Sequence, residues 1–314
     1  MRKESVFFGR FPCISRPKTI RNAPILMFVI ALLIFPFSTC NRADEPFIED
    51  HQRSAVDRTQ RILRAVYRTS RPAVSILDSG CDPTGRQMWH FSQLTTGNVV
   101  GISPEKGFPS KSAVGFCDEN CSLLAMDGTK LEFPDNRFDV VLSNNVLEHV
   151  ADPLKYLQEI RRVLKKDGIA IIEFYPVWSG PRGHHMHPDM VERWGGKNYR
   201  NDGSIIPDWS HLTYTQAQMN AALQDKMPPD IREKMVSYIY GDISTNGLNR
   251  VGWNRMRDYL EETFPHILIR VRNVSDVDTK LMPTGGNENY KAGGGWIIGS
   301  KERDLDFLKK AGIY

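Results

Sequence analysis

The sequence predicts an α/β fold: a doubly wound, seven-stranded, mostly parallel sheet with a lid insertion after the fifth strand. Three observations carry that expectation. Short apolar runs alternate with amphipathic stretches from residue 73 to residue 174, the pattern of buried parallel strands covered by helices on both faces. The first run ends in a glycine turn, Asp78-Ser79-Gly80-Cys81-Asp82-Pro83-Thr84-Gly85. The alternation then stops after Tyr175, where a long stretch rich in His, Trp, Gly and Pro begins. A loop of that length inside a compact domain is usually functional.

The elements follow in order. Residues 51–69 place Val56, Ile62, Leu63, Val66 and Tyr67 at helical spacing, and Arg71-Pro72 ends that helix. Residues 73–77 form the first strand, 85–95 a helix, 98–102 the second strand and 123–126 the third. Residues 138–142 form the fourth, entered from the turn Pro134-Asp135-Asn136. The clearest helix covers 152–166. Asp152 suits the N-cap, Pro153 the first helical position, and Leu154, Leu157, Ile160, Val163 and Leu164 make one apolar stripe. Lys165 and Lys166 suit the negative end of its dipole, and Gly168 can close it. Residues 169–174 are the fifth strand. Helical stretches at 215–240, interrupted by Pro228-Pro229, and at 249–264 precede the last strands at 267–271 and 296–298. The domain therefore runs over 46–302 with its insertion at about 176–248, and 303–314 reads as a C-terminal tail.

Residues 1–45 read as a basic leader, a short hydrophobic signal or anchor segment, and a linker. Residues 1–22 hold six basic residues against Glu4, a charge of +5. The +4 of the whole chain thus leaves the body at −1. A body without a basic bias argues against nucleic acid as a partner. Residues 25–35 are apolar between Pro24 and Pro36, short for a membrane span, which needs roughly 20 residues. They suit a signal core or a short anchor, so membrane association through residues 24–37 is an expectation. Five cysteines with irregular spacing do not make a disulfide framework; Cys117 and Cys121 could pair or bind metal, but no second pair completes a zinc site and they read as two ordinary thiols.

The glycine turn admits two readings. A dinucleotide turn, G-x-G-x-x-G, would use Gly80 and Gly85 as its outer glycines. Its middle glycine would be Asp82, a carboxylate where backbone must approach a pyrophosphate. The alternative is a ligand without phosphate, beside which the acids Asp78 and Asp82 are tolerable.

Here the chain resembles the class I S-adenosylmethionine-dependent methyltransferases, Rossmann-like proteins whose first motif has variants such as acid-x-Gly-Cys-Gly-Pro-x-Gly. The match runs through Asp78, Gly80, Cys81 and Gly85, and departs at Asp82. The resemblance continues through Val99-Val100-Gly101-Ile102-Ser103-Pro104-Glu105. Ser103 stands where the family has a ribose-binding acid, and Glu105 lies two residues on. The run from Asp127-Gly128 to Phe138-Asp139-Val140-Val141 is the most specific segment, and implies that Asp127 accepts a hydrogen bond from the adenine amino group. Ser143-Asn144-Asn145-Val146-Leu147-Glu148-His149, followed by Asp152-Pro153, is typical of the branch acting on small molecules. It implies that Asn144 and Asn145 face the methionine end. The match is close over 71–175. It is weaker at His211-Leu212-Thr213-Tyr214-Thr215, and returns at Gly295-Trp296-Ile297-Ile298-Gly299, which fits the last, antiparallel strand.

The resemblance implies S-adenosylmethionine as cofactor and a cytoplasmic catalytic domain, while the N-terminal segment reads as a membrane anchor, a signal sequence or a mis-assigned start. A hydroxyl acceptor would need a base. His149 is the first candidate, followed by His184, His185 and His211. The histidines of the insertion lack a common zinc spacing, so no metal is expected. The composition of the insertion suggests a small polar acceptor, such as a glycan or lipid head group. Two rival functions are a nicotinamide-dependent oxidoreductase and a non-catalytic domain that keeps the fold, the latter on the strength of Asp82 and Ser103.

Overall fold

A computed structural model describes residues 47–104, 108–109, 117, 119–284 and 288–314. The segment 24–37 and Glu105 lie outside the described residues. Within them no helix is long and apolar enough to cross a membrane.

The first helix, α1 (Asp50–Tyr67), leads into β1 (Ile76–Ser79), α2 (Arg86–Gln93), β2 (Val99–Ser103), β3 (Cys121–Ala125), β4 (Phe138–Asn144), α3 (Pro153–Val163) and β5 (Leu164–Phe174). Five short helices follow: α4 (Pro188–Arg193), α5 (Ser210–Thr213), α6 (Gln216–Ala222), α7 (Pro229–Tyr240) and α8 (Ile243–Asn246). Then come α9 (Trp253–Thr263), β6 (His266–Asn273), α10 (Glu288–Lys291), β7 (Ala292–Ser300) and α11 (Asp306–Lys310).

Seven strands form one sheet in the order β3-β2-β1-β4-β5-β7-β6. The first five are parallel, and β7 runs antiparallel between β5 and β6. Ile76, Leu77, Val140 and Val141 are fully buried, as strands covered on both faces require. One face is covered by α3 and α9 through Leu157, Ile160, Met256 and Leu260. The other is covered by α1 and α2 through Ile62, Leu63, Met88 and Phe91. Chain order reverses direction between β1 and β4, which pair at Ile76 and Val140. In open α/β sheets that reversal opens a crevice at the carboxyl ends of the strands, where ligands bind.

Four expectations need correcting. The α3 helix ends at Val163, and Leu164 already has extended backbone as the first residue of β5. Lys165 is not a dipole partner. Its Nζ donates to Asp139 Oδ2 at 2.8 Å, and that oxygen also accepts from Ser75 Oγ at 2.7 Å. A cross-strand ion pair outweighs a terminal turn of helix here. Cys117 and Cys121 are not two free thiols but a disulfide, with Cα atoms 5.0 Å apart. Residues 303–314 are not a loose tail, because Leu305 and Leu308 are buried in the core beneath α1 and α2. The insertion after β5 has an apolar cluster of its own, including Met186, Val191, Met219, Leu223, Met235 and Ile239.

Candidate active site

The crevice divides into two cavities that share Gly80. The smaller, about 340 Å³, lies over the ends of β2 and β3 and is lined by Ile102, Asp127, Gly128, Val146 and His149. The larger, about 650 Å³, lies over β1, β4 and β5 and takes in Asp82, Asn144, Asn145 and Glu173.

Gly80 has φ +92°, and a Cβ there would lie 2.2 Å from Val146 Cγ2. Only glycine meets both demands. The turn it opens is closed by its own hydrogen bonds. Gly80 N and Cys81 N donate to Ile102 O at 3.0 and 2.8 Å, and Gly85 N donates to Asp82 O at 3.0 Å. The Asp82 carboxylate accepts from Thr84 N at 3.0 Å and from Thr84 Oγ1 at 2.6 Å. The amides of Gly80, Cys81, Thr84 and Gly85 are therefore committed inside the protein. A pyrophosphate would need them free.

Asp78 lies beneath the turn, 2% exposed, with no partner on Oδ2. Burial, with Asp82 adding repulsion, pushes its carboxyl up to about 7. Burial likewise pushes Glu148 up to about 8. Its Oε1 accepts from Tyr175 N at 3.1 Å, and its Oε2 has no partner among the described residues. Asn144 Nδ2 is also buried and has no partner among the described residues, whereas Asn145 is exposed at φ +52°.

Asp127 is exposed, and its Oδ1 accepts from Thr129 N at 2.8 Å and Thr129 Oγ1 at 2.9 Å. Gly128 beside it leaves room for Tyr156, whose ring a Cβ would meet at 2.4 Å. The Tyr156 hydroxyl donates to Ser79 O at 3.0 Å and so ties α3 to the end of β1. Ser103 is buried at the end of β2 and lines neither cavity, although the adjoining Pro104 lines the smaller. Cys81 is buried, and burial pushes its thiol well above the ordinary range.

The candidate histidines separate. His149 lines the smaller cavity. Its Nδ1 lies 3.0 Å from Gly247 O, and its ring centre is 4.8 Å from that of His185. The protein packed around it, with His187 nearby, holds its pKa below the ordinary value. His184 and His211 are enclosed in the insertion, 5.6 Å apart between ring centres. His184 Nδ1 accepts from Met186 N at 3.1 Å, and His211 Nε2 lies 2.8 Å from Trp178 O. Burial pushes His211 down to about 4 and His185 down to about 3. None of the three lines either cavity, nor does any other residue of 176–248. The insertion docks against the loop after β4 and is not seen as a lid. Among the described residues, no three His, Cys, Asp or Glu side chains converge to hold a metal ion.

Sequence reasoning missed the far wall of the larger cavity. His51, Arg58 and Arg61 of α1 face Arg270 and Arg272 of β6 and Trp296 of β7 across it. Polar residues on a helix face ordinarily signal solvent, and nothing in their spacing distinguishes a cavity wall.

Residues 77–172 match the methyltransferase domain family. An uncharacterized methyltransferase of Mycolicibacterium gilvum is 34% identical over 127 residues, covering 40% of this chain and 48% of that protein. One from Schizosaccharomyces pombe is 34% identical over 116 residues, covering 34% of this chain and 40% of that protein. The chain thus spans less than half the length of these relatives. Among solved structures, an S-adenosylmethionine-dependent methyltransferase from Mesorhizobium loti is similar at TM-score 0.44 and 14% identity, over 77% of this chain and 98% of that one. The match to the methyltransferase domain family over residues 77–172 falls on the part of the sheet that carries the glycine turn.

Proposed function

We propose that the chain catalyses methyl transfer from S-adenosylmethionine to a small polar acceptor. The observation that carries this reading is the closed glycine turn. The amides of Gly80, Cys81, Thr84 and Gly85 are spent on Ile102 O and Asp82, and the buried polar atoms nearby without a partner among the described residues are Asp78 Oδ2, Ser79 Oγ, Gln87 Nε2 and Asn144 Nδ2. Such a site suits a ligand bearing an ammonium and a carboxylate in place of phosphates. Gly80, Asp82, Asn144 and Asn145 would hold the amino-acid end of that ligand, and Asp127, Gly128 and Val146 its adenosine end.

S-adenosylmethionine supplies an electrophilic methyl group on a sulfonium sulfur. The task of the chain is alignment and exclusion of water. Tyr156 fixes the floor by joining α3 to the end of β1. His149, on the wall of the smaller cavity, and His51, on the wall of the larger, are the imidazoles placed to take a proton from a hydroxyl acceptor. The enclosed rings of His184 and His211 serve better as packing of the insertion. A glycan or lipid head group remains in keeping with the polar walls.

Asp127→Ala tests the assignment. Loss of one hydrogen bond to the adenine should weaken S-adenosylhomocysteine binding about tenfold in calorimetry, the equivalent of ~1.4 kcal/mol. Unchanged affinity would move the adenine elsewhere.

A further inference from the structure

The larger cavity carries more positive charge than the one carboxylate of the methyl donor would match. A single row of paired residues crosses four strands: Asn144 opposite Glu173, Glu173 opposite Trp296, and Trp296 opposite Arg270. Residues in such a row lie on one face of the sheet. The α1 helix lays His51, Arg58 and Arg61 against that row. The cavity wall therefore holds four arginines, Arg58, Arg61, Arg270 and Arg272, against two carboxylates, Glu173 and Asp82.

The pairing is uneven. Glu173 is shared between Arg58, in close contact, and Arg272 at 3.8 Å. Both arginines are also placed by aromatic rings, Arg58 over Trp296 at 5.1 Å and Arg272 over Tyr175 at 4.2 Å. Asp82 is turned into its own loop by Thr84. Arg61 and Arg270 make no ion pair among the described residues. Trp296, paired with Arg270 across the sheet and lining the same cavity, is 8% exposed, and its Nε1–H, a donor with no acceptor capacity, has no partner among the described residues. Unlike Arg58 and Arg272, these two guanidiniums are held by no carboxylate among the described residues, and the buried indole N–H of Trp296 in the same cavity wall lacks an acceptor there.

We propose that the larger cavity takes an anionic acceptor, a small molecule bearing a carboxylate or phosphate group, which Arg61, Arg270 and Trp296 Nε1–H anchor beside the methyl donor. The inference rests on the methyltransferase reading above. With its sulfonium, ammonium and carboxylate, the donor brings a net positive charge. Its arrival increases the positive surplus of the cavity, and an anionic acceptor offsets it. Arginine is suited to the role because its planar fork meets carboxylate and phosphate oxygens in pairs. Arg58 and Arg272, already engaged by Glu173, hold the wall in shape.

The test uses the full 314-residue chain saturated with S-adenosylhomocysteine and titrated by calorimetry with benzoate, phenyl phosphate and benzyl alcohol. The expected result is binding of at least one of the two anions at least ~10-fold tighter than the neutral alcohol, the scale of a charge-assisted hydrogen bond. Which anion binds tighter tells carboxylate from phosphate. In R61Q/R270Q that preference should disappear. Both side chains are exposed, so the substitution leaves the core untouched. Three results would overturn the inference: no anion binding, equal binding of benzyl alcohol, or a preference that survives in R61Q/R270Q. Loss of S-adenosylhomocysteine binding in that variant would also overturn it, by assigning the arginines to the carboxylate of the donor. Failure of the unaltered chain to bind S-adenosylhomocysteine at all would defeat the methyltransferase reading itself, and the inference with it.

Discussion

Asp78 concentrates the physical tension of the site in one side chain. A buried carboxyl without a partner is costly when ionised, and its pKa rises from 3.8 to about 7. Within that window the unfolded chain has already released a proton that the folded chain retains, so folded stability declines as pH rises. Glu148, raised from 4.5 to about 8, adds to the same slope. Asp78→Asn should therefore gain stability relative to the unaltered chain on going from pH 5 to pH 8, read by urea denaturation at both values. The same substitution should weaken donor binding, because the amide carries no negative charge to meet an ammonium. A variant with the pH slope of the unaltered chain would show that Asp78 is ionised in the free protein. Gly80→Ala makes a second expectation at this scale. Positive φ and the contact with Val146 together should cost about 2–4 kcal/mol in denaturation, combining backbone strain with overpacking. Both residues were legible in the sequence, since an acid and a glycine at the end of a strand state their chemistry openly. Asp82 was only half legible. Its departure from the family pattern is plain, but its capture by Thr84 depends on a turn that sequence alone does not reveal.

At the scale of elements, α1 does two jobs. Its apolar side inserts Ile62 and Leu63, both essentially unexposed, into the core shared with β1 and α2. Its polar side forms the wall of the larger cavity. Ile62→Ala should cost about 2–5 kcal/mol by loss of burial and the cavity left behind, measurable as a shift of the denaturation midpoint. It should also loosen the cavity wall. The helix itself was plain from its spacing, but its polar side read as a solvated face. Strand identity was legible for a simple reason: fully buried strands need unbroken apolar runs, and 138–142 and 169–174 supply them. The end of α3 was not legible. Lysines after an apolar stripe serve a helix terminus well, and the competing demand, Asp139 on the neighbouring strand, is visible only once the sheet is assembled. The Cys117–Cys121 bridge escaped for a similar reason, because one pair at that spacing makes no framework.

For the whole molecule, the sheet order brings together what the sequence scatters. The turn after β1, the loop after β4, the start of α1 and the far edge at β6 and β7 converge on one crevice because chain direction reverses between β1 and β4. The residues proposed to hold the donor lie in contiguous turns that local motifs single out, whereas the cavity wall proposed for the acceptor joins residues more than 200 positions apart in sequence, such as Arg58 and Arg270. The insertion misled for the opposite reason. Its histidines and tryptophans look like site residues, but His184, His185, His211 and Trp209 are buried and line neither cavity. The central claim is that this crevice binds a methyl donor and not a dinucleotide, and titration calorimetry of the full chain with S-adenosylmethionine and, separately, with NAD tests it most directly. The account predicts micromolar binding of S-adenosylmethionine and no measurable heat with NAD. Binding of NAD without S-adenosylmethionine would mean that the amides of the Gly80 turn open to a pyrophosphate after all, and would contradict it.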